Sequence, residues 1–148
     1  MKRLFIYYSQ SGNGDLVAET LKAQGFDVRK AVPKKKPPRS FFLQILSGGF
    51  AAGIGRKEPL EGYDPDVSGY DQVVIGSPVW NARLSCPINT VLDQTDLADK
   101  EPAFILYSGS GEAPKAVKKL LERFPRAQIL LLKEPKKDPG ELKKLSDL

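Results

Sequence analysis

Ser9, Gln10, Ser11, Gly12, Asn13, Gly14 and Asp15 follow one another directly between apolar or aromatic neighbours. These residue types suit an anion. The hydroxyls of Ser9 and Ser11 can donate, Gly12 and Gly14 let backbone N–H groups close on a ligand, and Asn13 to Asp15 fall at the partly positive start of a helix. A phosphate has those requirements. No Lys or Arg lies between Tyr8 and Glu19, so the sequence implies a phosphate held by amides, hydroxyls and the helix dipole rather than by a point cation. Nucleotide hydrolysis is disfavoured, because a Walker loop needs a Gly-Lys-Ser/Thr ending that is missing here. Gly12-x-Gly14 is a fragment of a dinucleotide fingerprint, with Val17 where the third glycine belongs and no acidic residue ending the second strand. Taken alone, the loop also reads as an ordinary Ser/Gly turn with an N-cap.

The elements around this loop have to place it at a ligand. Leu4 to Tyr8 is a continuous apolar run that suits a parallel strand covered on both faces, and Leu16, Val17, Thr20 and Leu21 recur at helical spacing. The loop then lies at a strand's carboxyl end, where open α/β sheets bind ligands. The first helix is expected over Asn13 to about Gln24, with Gly25 as a left-handed cap. Phe26 to Ala31 reads as an edge strand closed by Pro33. From Pro33 to Asp71 runs a long crossover, in which Ser40 is positioned to cap a short helix with Phe41, Phe42, Ile45 and Leu46 on one face, Gly48-Gly49 stopping it before Phe50. Connections of this length are often functional, so it is a candidate ligand cover or partner surface. Val73 to Gly76 is a buried strand expected to turn outward at Pro78, presenting Trp80 on a loop. Leu84, Ile88, Val91 and Leu92 resume a helical stripe. Ala103 to Tyr107 forms the next strand, Val117, Leu120, Leu121 and Phe124 a helix face, Gln128 to Leu132 the last strand, and Leu142 and Leu145 a short final helix.

Alternating strands and helices in 148 residues predict one domain, a doubly wound five-stranded parallel sheet with helices on both faces. Three loops then meet at one end: Ser9–Gly14, Ser77-Pro78-Val79-Trp80-Asn81, and Ser108-Gly109-Ser110-Gly111. Together they offer phosphate donors, an aromatic face and flexible backbone, which suit a planar ring with a phosphate tail. Histidine is absent, which removes His-dependent triads and the commonest metal ligand, so no metal site is expected. One cysteine, Cys86, excludes an internal disulfide and fits a reducing cytoplasm, and no membrane span is expected. Cys86, beside Pro87, is expected to pack as a small apolar side chain. Tyr7 and Tyr8 are expected to pack in or beside the first strand. The net charge of +5 favours acidic partners, although the lysine pairs are spread along the chain and nucleic acid is disfavoured.

Tyr8-Ser9-Gln10-Ser11-Gly12-Asn13-Gly14-Asp15, Gly76-Ser77-Pro78-Val79-Trp80 and Tyr107-Ser108-Gly109-Ser110-Gly111 resemble the three ligand loops of the flavodoxin family, in order and spacing over nearly the whole chain. The resemblance implies a 2-1-3-4-5 sheet, noncovalently bound FMN, and electron transfer carried by the flavin with no catalytic side chain. It implies that Ser9, Ser11, Gly12, Asn13 and Gly14, with Gln10 in the same loop, hold the FMN phosphate. Trp80 would flank the ring, Ser77 to Asn81 would line its dimethylbenzene and N5 side, and Ser108, Gly109 and Ser110 would face its pyrimidine edge. The chain departs from the family in carrying Gly14 where a Thr is usual, Asn81-Ala82 where a glycine often follows the aromatic, and a basic rather than acidic charge. The expected function is an FMN-binding redox carrier serving redox partner proteins, acidic ones by charge. One alternative is an NAD(P)H-dependent FMN or quinone reductase, whose second binding surface a homodimer or the crossover would complete. Another is a flavin-free binding or regulatory module on the same fold. A phosphoacceptor receiver and a low-molecular-weight tyrosine phosphatase are disfavoured, since the first lacks its acids and the second its Cys and Arg at the first loop.

Overall fold

A computed structural model describes residues 1–34 and 57–148. Strand β1 (Arg3–Tyr7) leads into helix α1 (Asn13–Ala23), which is followed by β2 (Asp27–Lys30). After the crossover come β3 (Gln72–Trp80), the two-residue β4 (Arg83–Leu84) and α2 (Cys86–Gln94). Then follow β5 (Ala103–Tyr107), α3 (Pro114–Arg123), β6 (Ile129–Leu132) and a 3-10 helix over Pro139–Asp147. The parallel strands lie in the order β2-β1-β3-β5-β6, and β4 pairs antiparallel with β3. Counting parallel strands alone, this is the 2-1-3-4-5 flavodoxin-like α/β fold, with one added hairpin.

The pleat explains why both faces are covered. Leu4, Ile6, Ile75, Phe104 and Leu106 point to one side, where Ile88 and Val91 of α2 and Leu120 of α3 bury them. Phe5, Tyr7, Val74, Ile105 and Leu132 point to the other, packing with Val17 and Leu21 of α1 and with Leu145. Strands apolar on both faces can only be buried this way. Helix α1 stops in a Schellman motif: Phe26 N–H donates to Leu21 O, Gly25 N–H donates to Lys22 O, and Gly25 takes φ 93°. Strand β2 sits at the sheet edge, as its weaker pattern implied.

Strand β3 does not turn out at Pro78 but runs on to Trp80, with Pro78 opposite Tyr107 of β5. The reason lies in where β1 ends. Tyr8 N–H donates to Gly76 O, the last bond between the first strand and β3, so alternation turns the ring nitrogen of Pro78 toward a side that β1 has already left. Trp80 therefore stands at a strand end rather than on a loop. Asn81 and Ala82, at φ 48° and 62°, form the two-residue left-handed turn that reverses the chain into β4. Leu84 belongs to β4, so the helical stripe begins two residues later. Leu121 is 39% exposed rather than part of the buried face of α3.

The crossover closes on itself. Lys34 N–H donates to Pro59 O and Glu61 N–H donates to Val32 O, clasping its outgoing and returning arms. Its returning arm packs Leu60 and Val67 onto the α2 face, and Thr90 of α2 exchanges hydrogen bonds with the Glu58 backbone. The expected Ser40-capped helix with Phe41, Phe42, Ile45 and Leu46 lies outside the described residues. Among the described residues no helix is long and apolar enough to cross a membrane.

Two constraints here are open to test. At Gly76 an added Cβ would come within 2.6 Å of Phe5 Cζ and 2.9 Å of Tyr107 Oη. Gly76→Ala should therefore destabilise the fold by about 2 kcal/mol through overpacking, read as a lower urea midpoint at unchanged slope. Glu141, 8% exposed, accepts the Lys133 N–H on both carboxylate oxygens at 3.1 and 2.8 Å and the Glu134 N–H at 3.0 Å. Burial acts to raise its pKa, but the two amides and the Lys144 ammonium outweigh burial and hold the carboxyl below its ordinary 4.5. A depressed carboxylate stabilises the fold above its ordinary value and loses that contribution as pH falls through the folded value. Glu141→Gln should cost about 2 kcal/mol at pH 7, and the gap between wild type and variant should narrow in urea melts at about pH 3. An undiminished gap there would contradict the ionic role.

Candidate functional site

The carboxyl ends of β1, β3, β5 and β6 surround a pocket of about 340 Å³. From the first loop it is lined by Tyr8, Ser9, Gln10, Ser11, Asn13 and Gly14; β3 contributes Pro78, Val79 and Trp80; Tyr107 ends β5 and Gly109 follows it, and Lys133 and Glu134 follow β6. Because α1 covers one face of the sheet and α2 the other, the chain leaves β1 and β3 in opposite directions, and the crevice opens between them.

The first loop is built around one oxygen. Ser9 Oγ accepts the N–H groups of Gly12 at 3.2 Å, Gly14 at 3.1 Å and Asp15 at 3.4 Å. These are amides that a helix's first turn leaves without intrahelical partners. Gly12, at φ 95°, supplies the left-handed N-cap that aims them at a common point. Ser9 Oγ occupies the point where these three amides converge, and its own O–H remains a donor. Asn13 Nδ2 donates to Ser11 Oγ at 3.2 Å, holding the loop's outer arm.

Gly14 has a reason to be glycine. A Cβ there would lie 2.9 Å from Ser9 Cβ, 3.0 Å from Tyr7 Cδ2 and 3.1 Å from Tyr8 O. The threonine usual in the resembled family would not fit without moving α1 away from β1. Asp15, the acid in the first turn, is turned aside: it accepts from Tyr7 Oη at 3.0 Å and pairs with Lys30 Nζ at 2.8 Å.

Trp80 meets Tyr8 edge to face, with ring centroids 5.6 Å apart and planes at 86°. The pair forms an aromatic wall. Burial, then the charges of Glu58 and Cys86, pushes the Tyr8 phenol up to about 12, so at neutral pH it is a protonated hydrogen-bonding group rather than a base. Burial likewise raises Tyr107, whose hydroxyl has no hydrogen-bond partner among the described residues.

The expected site residues divide. Ser9, Gln10, Ser11, Asn13, Gly14, Pro78, Val79, Trp80 and Gly109 meet in the pocket, and Gly12 shapes its loop. Ser77 is 1% exposed, and its hydroxyl is engaged with Ser85 Oγ at 3.0 Å and Pro78 O at 2.8 Å. Asn81 lines a neighbouring groove of about 380 Å³ together with Arg83, Lys115, Lys118 and Lys119. Ser108 and Ser110 both donate to Glu112 O, folding the third loop on itself. Cys86 is buried, in keeping with a packing role.

Sequence reading missed Tyr8 and Tyr107 as lining residues, and it missed the entire fourth wall. Lys133 crosses over Gly111, where an added Cβ would lie 2.7 Å from its Cε. Lys136 reaches the first loop: its N–H donates to Asn13 Oδ1 at 3.0 Å and its Nζ to Ser11 O at 3.2 Å. The expectation of a loop without a point cation is thus corrected, because the cation arrives from the far end of the chain. The rule that ligands meet strand carboxyl ends, applied to β6 as to the other strands, would have pointed to this turn.

The sequence matches no protein-family model and no curated protein. Among solved structures, a protein from Bacteroides eggerthii DSM 20697, provisionally named a flavoprotein, superposes with a TM-score of 0.78 at 19% identity, covering 99% of this chain and 96% of its own. Another so named, from Bacteroides uniformis ATCC 8492, gives 0.75 at 21% identity, covering 99% and 98%. A flavoprotein from Lactobacillus acidophilus NCFM, solved in complex with FMN, gives 0.70 at 21% identity, covering 94% and 97%. At these identities the likeness establishes a shared flavodoxin-like fold over nearly the full length of all four chains.

Proposed function

We propose that this chain binds FMN noncovalently in the pocket at the strand ends and acts as a redox protein, carrying electrons between partner proteins. The observation that carries the reading is the convergence of the Gly12, Gly14 and Asp15 amides beside an aromatic wall in one crevice. An amide focus at a helix start suits a phosphate, and a Trp80–Tyr8 wall suits a planar ring. The Lactobacillus acidophilus protein of the same fold was solved with FMN, which supports the same ligand here.

In this reading phosphate oxygens replace Ser9 Oγ as acceptors of the Gly12, Gly14 and Asp15 amides while the Ser9 hydroxyl donates to the phosphate, Trp80 and Tyr8 flank the ring, and Gly109 and Lys133 border its polar edge. Bound FMN supplies one-electron and two-electron transfer, and the protein supplies binding, orientation and electrostatics. Tyr8, protonated at neutral pH, can donate a hydrogen bond without exchanging a proton. Gly14 fixes the loop tightly against β1, so its missing hydroxyl is offset by a preformed set of amides. The positive net charge favours acidic redox partners.

Titration of the purified apoprotein with FMN, with riboflavin as control, tests the reading through quenching of flavin fluorescence. FMN should quench at low micromolar concentrations or below and riboflavin far more weakly. Trp80→Ala should weaken both and reduce the quenching. No binding at tens of micromolar FMN, weaker than about 7 kcal/mol, would instead favour a flavin-free module. Turnover of NADPH with a quinone in the absence of any helper protein would move the reading from carrier to reductase.

A further inference from the structure

The turn after β6 is held from two sides. Glu141 accepts the amides of Lys133 and Glu134, and the amides of Lys137 and Asp138 both donate to Glu134 O at 2.9 Å. This fixes Lys136 between them. Its backbone N–H is bound to the Asn13 side chain, its Nζ to the Ser11 carbonyl, and an added Cβ on Gly12 would lie 3.3 Å from that Nζ. The ammonium is therefore in contact with the loop whose amides converge on Ser9 Oγ.

Among the described residues the ammonium pairs with no carboxylate. The acids around the turn have other partners: Asp15 pairs with Lys30 at 2.8 Å, Glu134 with Lys137 at 3.0 Å, Glu141 accepts two amides and pairs with Lys144, and Asp138 accepts the Gly140 N–H at 3.1 Å. Lys136 is left with a neutral carbonyl as its partner. A lysine anchored to this loop by its backbone N–H on Asn13 and its ammonium on the Ser11 carbonyl, with no carboxylate paired to it among the described residues, forms half of a charge-assisted contact.

We propose that Lys136 is the counter-cation of the site, exchanging the Ser11 carbonyl for a phosphate oxygen and making the loop selective for a dianionic phosphomonoester over a neutral analogue. This rests on the reading that the pocket takes FMN. The phosphate is then held by a point charge brought from 125 residues downstream as well as by amides.

The test compares wild type with Lys136→Gln, which keeps a donor for the Ser11 carbonyl but loses the charge, and with Lys136→Arg, which keeps the charge. Lys136→Gln should weaken FMN about fivefold to tenfold with riboflavin unchanged, flatten the salt dependence of FMN binding, and leave the amide resonances of the apoprotein in place outside the loop. Lys136→Arg should recover most of the loss. The 31P signal of bound FMN should stay dianionic to lower pH in wild type than in Lys136→Gln, a difference that a loop staple without electrostatic effect would not produce. An unchanged ratio of FMN to riboflavin affinity in Lys136→Gln would overturn the proposal. Inorganic phosphate, followed at the Gly12 and Gly14 amides, separates the two readings. If FMN fails to bind but phosphate shifts those amides in wild type and less in Lys136→Gln, the counter-cation role stands and the flavin reading falls. If phosphate shifts them equally in both, the counter-cation role falls whatever FMN does.

Discussion

The site depends on how closely the start of α1 can approach the end of β1. Ser9 Oγ can accept three amides because the helix begins almost in contact with the strand, and Gly14 permits that contact. One side-chain oxygen answers donors that would otherwise need water or a ligand, and it ties the loop to the sheet. A larger residue at position 14 would offer the ligand an extra group but open the gap that the amides span. The chain carries the arrangement in which backbone amides, rather than added side chains, shape the loop.

The same end of the sheet is shaped by strands of unequal length. Strand β1 stops at Tyr7 while β3 continues to Trp80, so the side of β3 facing β1 is unpaired beyond Gly76. A proline can stand there without breaking a ladder bond, and the continued strand carries Trp80 far enough to meet Tyr8 edge-on. The left-handed turn at Asn81 and Ala82 then folds the chain away into β4. Pairing lost between the two central strands becomes a crevice with an aromatic wall. This is where their connections leave toward opposite faces.

The alternation of strands and helices, both packed faces and the cap at Gly25 were legible in the sequence because they rest on local pattern: unbroken apolar runs, helical spacing and a glycine after the last helical turn; the strand order came from the resemblance of the three loops. The first loop was legible for the same reason. What local pattern could not convey was the effect of a neighbour ending. Pro78 looked like a stop signal because a proline breaks a ladder only where a partner strand is present, and the absence of β1 beyond Tyr7 is a tertiary fact. Leu121 fits the helical period yet stays exposed, since the period gives a stripe and not its width. Ser77 carries a suitable hydroxyl but faces Ser85 inside the fold, an orientation set by the pleat of β3. Tyr107 offers a buried hydroxyl over Gly76, a juxtaposition across two strands that spacing along the chain does not encode.

Lys136 gives the sharpest case of that limit, and it changes the electrostatic account of the pocket. From local sequence the loop has no cation, and its affinity for an anion would rest on dipoles that weaken quickly with distance and screening. In the folded chain the carboxylate of Glu141 positions a turn, the turn delivers an ammonium to Ser11, and Asp15 and Glu134 pair with other lysines. Charge at the anion loop is thereby coupled to how the last 3-10 helix docks, since the same glutamate orders both. Residues 9–15 are thus contacted by the turn at residues 133–141 as well as by their own helix. Dipoles alone would distinguish little between a dianionic phosphomonoester and a monoanionic sulfate ester. An added fixed cation is what makes the second negative charge of a phosphomonoester count.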